Sequence, residues 1–220
     1  MNKMELLVSD PKIKHISFDF WNTLAFSNPI FKEKRASILS HYLKSHCSLA
    51  KINATFNKVG KEYNHRQECG ELPVLPEDLL KKVTVEISNN NSINHSSLIK
   101  EIYRVFLDYP PTINHTFLKL IDQIFQSDKS CSITSNTAFI PGEIIRMYLT
   151  AVGLQQKISF AIFSDELGIS KPSPKIFEHL YLKVLIINPL ILKENILHIG
   201  DSFKSDYTGA LDYGFAAYQV

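Results

Sequence analysis

Four places in the chain set a reactive side chain just after a short apolar or β-branched run. Asp19 follows 13–18, and Ser135 with Asn136 follows 131–134. Lys171 lies in the loop after 158–163, and Asp201 with Asp206 follows 195–199. Parallel strands deliver such residues to the rim of a sheet, where ligands bind beyond the carboxyl ends. Three carboxylates gathered there repel one another unless a hard cation sits among them. Mg²⁺ suits such a set, since it takes oxygen ligands and keeps waters that a phosphate can replace. A lysine and a hydroxyl beside it form a cradle for a transferring phosphoryl group. The pattern reads as a metal-assisted hydrolase with Asp19 as its attacking nucleophile.

The elements that must position these groups follow from the period of the apolar residues. Strands are expected over 13–18, 131–134, 158–163, 195–199 and 215–219, with helices after Pro141, around Phe177–Leu185 and from about 205 to 213. Strand and helix alternate, so the connections are crossovers and the sheet is parallel. From Pro29 to 126 the period is helical instead. Leu49, Ile52, Phe56, Val59 and Tyr63 share one face; Leu79, Leu80, Val83 and Ile87 share a second. Leu98, Ile102, Val105, Phe106 and Tyr109 make a third, stopped by Pro110-Pro111, and Phe117, Leu118, Ile121, Ile124 and Phe125 a fourth. The Asn/Ser-rich stretch 88–97 reads as a loop. The expected division is an α/β core over 1–27 and 127–220, interrupted by an all-helical module over 28–126.

At 220 residues, with 45% hydrophobic and 21% charged residues, the chain has the composition of a globular protein with one large core. A net charge of +2 gives no nucleic-acid footprint and no basic membrane patch. Cys47, Cys69 and Cys131 are widely spaced and form no CxxC, which argues against a disulfide framework or a zinc ribbon. No stretch is long and apolar enough to span a bilayer, and 1–11 lacks the pattern of a secretory signal, so a reduced, cytoplasmic location is expected. The sequons at Asn53, Asn91, Asn94 and Asn114 are accordingly read as chance matches.

Asp19-Phe20-Trp21-Asn22-Thr23, Ser135-Asn136, Lys171-Pro172-Ser173-Pro174 and Gly200-Asp201-Ser202 through Asp206 resemble, in order, the four motifs of the haloacid-dehalogenase-like (HAD) hydrolase superfamily. The resemblance covers the whole α/β part. It implies a Rossmann-like parallel sheet of order 5-4-1-2-3 and identifies the inserted helices as similar to a type 1 cap. It implies catalytic roles for Asp19, Thr23, Ser135 and Lys171, with Ser135, Asn136 and Lys171 on the substrate. It further implies a Mg²⁺ site made by Asp19, the Trp21 carbonyl, Asp201 and Asp206.

Two positions depart from the usual phosphatase pattern. Asn22 stands where glycine is common, and asparagine tolerates left-handed backbone. Trp21 stands where phosphatases of this resemblance carry a second aspartate, the acid and base of the reaction, and indole can do neither job. The first reading is a Mg²⁺-dependent phosphatase acting on a small phosphorylated metabolite through an aspartyl-phosphate, with slow turnover. The second is a phosphometabolite-binding protein without useful turnover. The third is a metal-independent 2-haloacid dehalogenase, which tolerates an aromatic at this position; Asp201 argues against it. His15 and His198 read as structural, and Cys131 as strand packing. Arg35, His41, His46, Lys61, His65 and Arg66 lie in the helical module, each read singly as a solvated residue. Nothing in the sequence selects one of them to replace the missing acid, and oligomeric state is not legible.

Overall fold

The computed structural model describes residues 3–43, 47–70, 72–88 and 93–220. His46, Asn91 and the middle of the expected 88–97 loop lie outside the described residues. A short helix, α1 (Lys3–Ser9), precedes the first strand, β1 (His15–Phe18). A two-residue strand, β2 (Ala25–Phe26), leads into four helices: α2 (Pro29–Leu43), α3 (Leu49–Glu68), α4 (Pro76–Ser88) and α5 (His95–Asp108). A second short strand, β3 (Thr112–Ile113), returns antiparallel to β2 and is followed by α6 (His115–Phe125). Then come β4 (Ser130–Ser135), α7 (Gly142–Ala151), β5 (Phe160–Phe163), the single turn α8 (Ser164–Leu167) and α9 (Pro174–Ile187). The chain ends with β6 (Ile196–Gly200), a π-helical turn over Phe203–Thr208, α10 (Gly209–Tyr213) and β7 (Ala216–Gln219).

The five long strands form one parallel sheet ordered β7-β6-β1-β4-β5, which is the expected 5-4-1-2-3. Helices α2 to α5 pack on one another as a module between β2 and β3. Helix α6, expected with that module, packs on β4 instead, and Phe117 meets Phe18 edge-on at 5.8 Å. Its amphipathic period is the same as a module helix would show, so only tertiary contact could assign it. Leu49 and Phe125, expected on buried faces, are exposed because each sits at the end of its helix.

The central strand alternates rather than running apolar throughout. Ile16 and Phe18 fill one face, while His15 and Ser17 are equally buried on the other. His15 bonds the Ser130 and Ser132 hydroxyls at 2.7 and 2.8 Å, and Ser17 donates to Thr134 Oγ1 at 3.1 Å. His198 on β6 reaches Ser17 Oγ at 3.1 Å. Buried polar atoms without partners are costly, and this ladder satisfies them across three strands. Burial holds the His15 imidazole down to about 3, so it stays neutral.

Candidate active site

The ladder ends at the strand tips, where the predicted residues converge. The Asp19 amide donates to the Ile199 carbonyl at 2.8 Å and continues the β1–β6 pairing by one residue. Asn22 then adopts φ 58°, and the turn closes through Asn22 N–H to Ala25 O and Ala25 N–H to Phe20 O, both at 2.9 Å. The Trp21 carbonyl takes no part in those two bonds. Asparagine fills the left-handed position, as expected, and its Nδ2 donates to Asp201 Oδ2 at 3.3 Å.

Lys171 is the hub. It is 1% exposed, and its ammonium donates to Asp19 Oδ1 at 2.8 Å, to the Thr134 carbonyl at 2.7 Å and to Asp206 Oδ1. All three N–H groups are therefore committed. Burial disfavours the ammonium, yet Asp19 and Asp206 outweigh it and hold its proton more tightly than usual. Its loop is clasped to the end of β4: Asn136 Nδ2 donates to the Lys171 carbonyl at 2.9 Å, and the Lys171 amide donates to Asn136 Oδ1 at 2.8 Å. Ser135 Oγ donates to Asp19 Oδ1 at 2.9 Å.

Gly200, at the tip of β6, is a steric requirement. A Cβ there would lie 2.2 Å from Asp206 Cγ. The π-helical turn folds Asp206 back over the strand end, where its Oδ2 accepts the Ser202 amide at 3.0 Å and its Oδ1 meets His198 Nε2 at 3.1 Å. Burial works against Asp206's charge, and Lys171, then His198, hold its carboxyl below the usual range regardless. Asp19 differs. Burial, its largest influence, pushes it up to about 7 despite Lys171. Asp201 is also raised, by burial and then by Asp206.

One ligand oxygen each from Asp19, Asp201 and Asp206 lies within 4.8 Å of the others. Asp206 already accepts three hydrogen bonds and the Asp201 carboxylate accepts from Asn22 and its own backbone amide, whereas Asp19 Oδ2 accepts none among the described residues. A hard, unengaged oxygen of Asp19 beside two further carboxylates fits a divalent cation such as Mg²⁺. The Thr23 hydroxyl is buried without a hydrogen-bond partner, and Thr23 is not among the residues lining the cleft over this cluster.

A cleft of about 500 Å³ opens over this cluster. Its core wall includes Asp19, Trp21, Asn136, Lys171, Asp201 and Asp206. Its other wall belongs to α2 and α3, through Phe31, Arg35, Asn64, Gln67 and Glu68. Trp21 ties the core to the helical module. Its indole meets Phe20 edge-on at 4.9 Å and Phe106 of α5 at 6.2 Å. Of the helical candidates, Arg35 lines the cleft, while His41, Lys61, His65 and Arg66 do not.

Three contributors escaped sequence reasoning. His198, read as merely structural, positions Asp206. Glu68 accepts a hydrogen bond from Ser202 Oγ at 3.1 Å across the cleft. Asp165 accepts from Thr137 Oγ1 at 2.6 Å and from the Gly142 amide, anchoring the loop that carries Asn136. An acid two residues after the third strand run was a usable signal for Asp165; nothing local marked Glu68. Cys131 is buried with its thiol pushed up to about 12 by burial, consistent with packing. No helix among the described residues is long and apolar enough to cross a membrane.

No family model matches the chain. A bovine haloacid dehalogenase-like hydrolase domain-containing protein 3 is 36% identical over 72 residues, 33% of this chain and 27% of that protein. The alignment thus spans about a quarter of that relative. An uncharacterised hydrolase of Schizosaccharomyces pombe is 25% identical over 207 residues, 90% of this chain and 86% of its own. Among solved structures, the HAD-hydrolase YfnB of Bacillus subtilis bound to magnesium superposes with a TM-score of 0.69 at 16% identity, covering 94% of this chain and 86% of its own. The 2-haloacid dehalogenase of Pseudomonas syringae gives 0.61 at 19%, covering 94% and 86%. A Thermotoga maritima protein described as a β-phosphoglucomutase gives 0.65 at 17%, covering 94% and 85%. The resemblance carried by the four motifs is thus met by a sequence relative and a solved structure named for the same superfamily, and the fold is that of the solved structures.

Proposed function

From a chain that shares the fold and the four motifs of the HAD-like hydrolases, we propose a phosphohydrolase that acts on a small phosphorylated metabolite through an aspartyl-phosphate on Asp19. The observation that carries this is the arrangement around Asp19: Oδ1 is held by Ser135 and Lys171, Oδ2 accepts no hydrogen bond among the described residues, and the residue lines the cleft. Oδ2 attacks phosphorus, the ester P–O bond breaks, and the leaving oxygen takes a proton. Water then splits the acyl phosphate and returns Asp19 as a carboxylate.

Ser135 and Lys171 orient the nucleophile, and Lys171 offsets charge that grows on the transferring group. Asp206, held by His198 and Lys171, steadies Lys171 in turn. Asp19, the Trp21 carbonyl and Asp201 would hold Mg²⁺, with Asp206 ordering the site, and the cation would offset phosphoryl charge. Glu68 is the cleft's carboxylate outside that cluster among the described residues, and we assign it the proton transfer that Trp21 cannot perform. The helices α2 to α5 act as the lid.

A panel of aryl and alkyl phosphates assayed with Mg²⁺ and with chelator tests this reading. Metal-dependent phosphate release that vanishes in Asp19→Asn is the expected result. A second reading, ligand binding without turnover, draws on Trp21 occupying an aromatic seam where an acid would stand; it predicts affinity without release from any ester. Halide release from 2-chloropropionate in chelator would mark a dehalogenase instead.

A further inference from the structure

Arg35 is an anomaly on the lid side of the cleft. It is 8% exposed, on the second turn of α2, and it lines the same cavity as Asp19. No carboxylate pairs with it among the described residues, and burial alone acts on its proton affinity, lowering it. Its guanidinium lies 3.7 Å from the Phe56 ring centroid and 5.5 Å from that of Phe31. Its one hydrogen bond among the described residues runs from Nη2 to Asn53 Oδ1, at a long 3.4 Å, and Nε is buried without a partner. Two aromatic faces offset part of the desolvation of a guanidinium, but they leave its Nε donor unmet. A buried charge of this kind is ordinarily paired.

Gln67, one helix away, repeats the anomaly. It is 2% exposed, lines the same cleft, and its Nε2 amide is buried with no acceptor. Unpaired buried donors are rare in folded proteins, and two of them on one wall of one cavity call for a common acceptor. Both groups donate, so what they lack carries oxygen atoms and, facing a guanidinium, negative charge.

We propose that the lid wall is a second anion subsite, in which Arg35 and Gln67 bind a carboxylate or phosphate at the end of the substrate remote from the phosphoryl group attacked by Asp19. This rests on the phosphohydrolase reading and narrows its substrate to phosphate esters that carry a second oxyanion. The 500 Å³ cleft admits both groups and a short linker between them.

Three esters of one length test it: 3-hydroxypropyl phosphate, 3-(phosphonooxy)propanoate and propane-1,3-diyl bisphosphate. The wild-type protein with Mg²⁺ is expected to favour one or both charged esters over the neutral one by about 10- to 100-fold in kcat/KM, the range for hydrogen bonds to a charged group. The two charged esters separate a carboxylate site from a phosphate site. Arg35→Met is expected to bring that ratio near one, Arg35→Lys to keep part of it, and Gln67→Leu to reduce it. Equal kcat/KM for all three esters in the wild-type protein overturns the subsite while leaving the phosphohydrolase reading intact. Absence of release from any ester, including p-nitrophenyl phosphate, defeats that reading instead. Calorimetric Kd values for the same three ligands then decide the subsite separately, and a charged-to-neutral ratio of one overturns it. The wild-type ratio requires no variant to fold.

Discussion

Asp19 carries two loads that pull its proton in opposite directions. Lys171 and Ser135 stabilise its charge, while burial and the acids around it raise its pKa to about 7. A cation binds the carboxylate and competes with the proton, so Mg²⁺ affinity should rise with pH up to about 7 and level off above it. Below that value the apparent affinity should fall by up to about tenfold per pH unit. Calorimetric titration from pH 5.5 to 8.5 checks this, and a flat profile contradicts the account of Asp19. Trp21 offers a second residue-scale test. Trp21→Asp restores a carboxylate where the superfamily resemblance leads one to look for it, and should raise turnover of alkyl phosphates relative to aryl ones by about 10- to 100-fold. The same change removes ring contacts with Phe20 and Phe106, worth about 1 kcal/mol each, so the melting temperature should fall by several degrees.

At the scale of elements, the tips of β1, β4 and β6 were legible because each shows a buried run that ends abruptly in a polar residue. The turn after β6 was not. Its helix was expected from about 205, yet the chain forms a π-helical turn from Phe203 because Asp206 must reach back to Lys171 and the Ser202 amide. Gly200 permits that approach. Gly200→Ala should cost about 1–3 kcal/mol by overpacking and weaken Mg²⁺ binding, since the added methyl displaces Asp206. Denaturant unfolding and the titration above read the two effects separately. Helix α3 supplies the other element-scale test. Glu68 sits at its last residue, hydrogen-bonded to Ser202. Glu68→Gln should lower turnover of alkyl phosphates by about 10²-fold or more while sparing p-nitrophenyl phosphate, whose leaving group needs no proton. Equal loss on both esters would assign Glu68 a role in closure alone.

Across the whole molecule, the order of the motifs and the alternation of strand and helix were enough to fix a parallel sheet with a helical insertion. The cleft between the two was not readable, because its far wall is assembled from α2 and α3 by packing, and no local pattern singles out Arg35, Gln67 or Glu68 from other polar helix residues. The seam that closes it is aromatic: Phe106 reaches Trp21 and Tyr148, and Phe56 meets Phe139 at 5.0 Å. The β2/β3 ribbon was missed for a simpler reason, since two residues are too few to show a strand period. That ribbon has a lasting consequence. The chain leaves that ribbon at Phe26 and comes back to it at Thr112, its immediate neighbour across the pairing. Residues 27–111 are therefore a detour whose two ends share one doorway. Another set of helices, spliced at the same threshold, could replace them without moving a strand of the sheet; the far wall of the cleft, Glu68 included, would change, while Asp19, Lys171, Asp201 and Asp206 stay where they are.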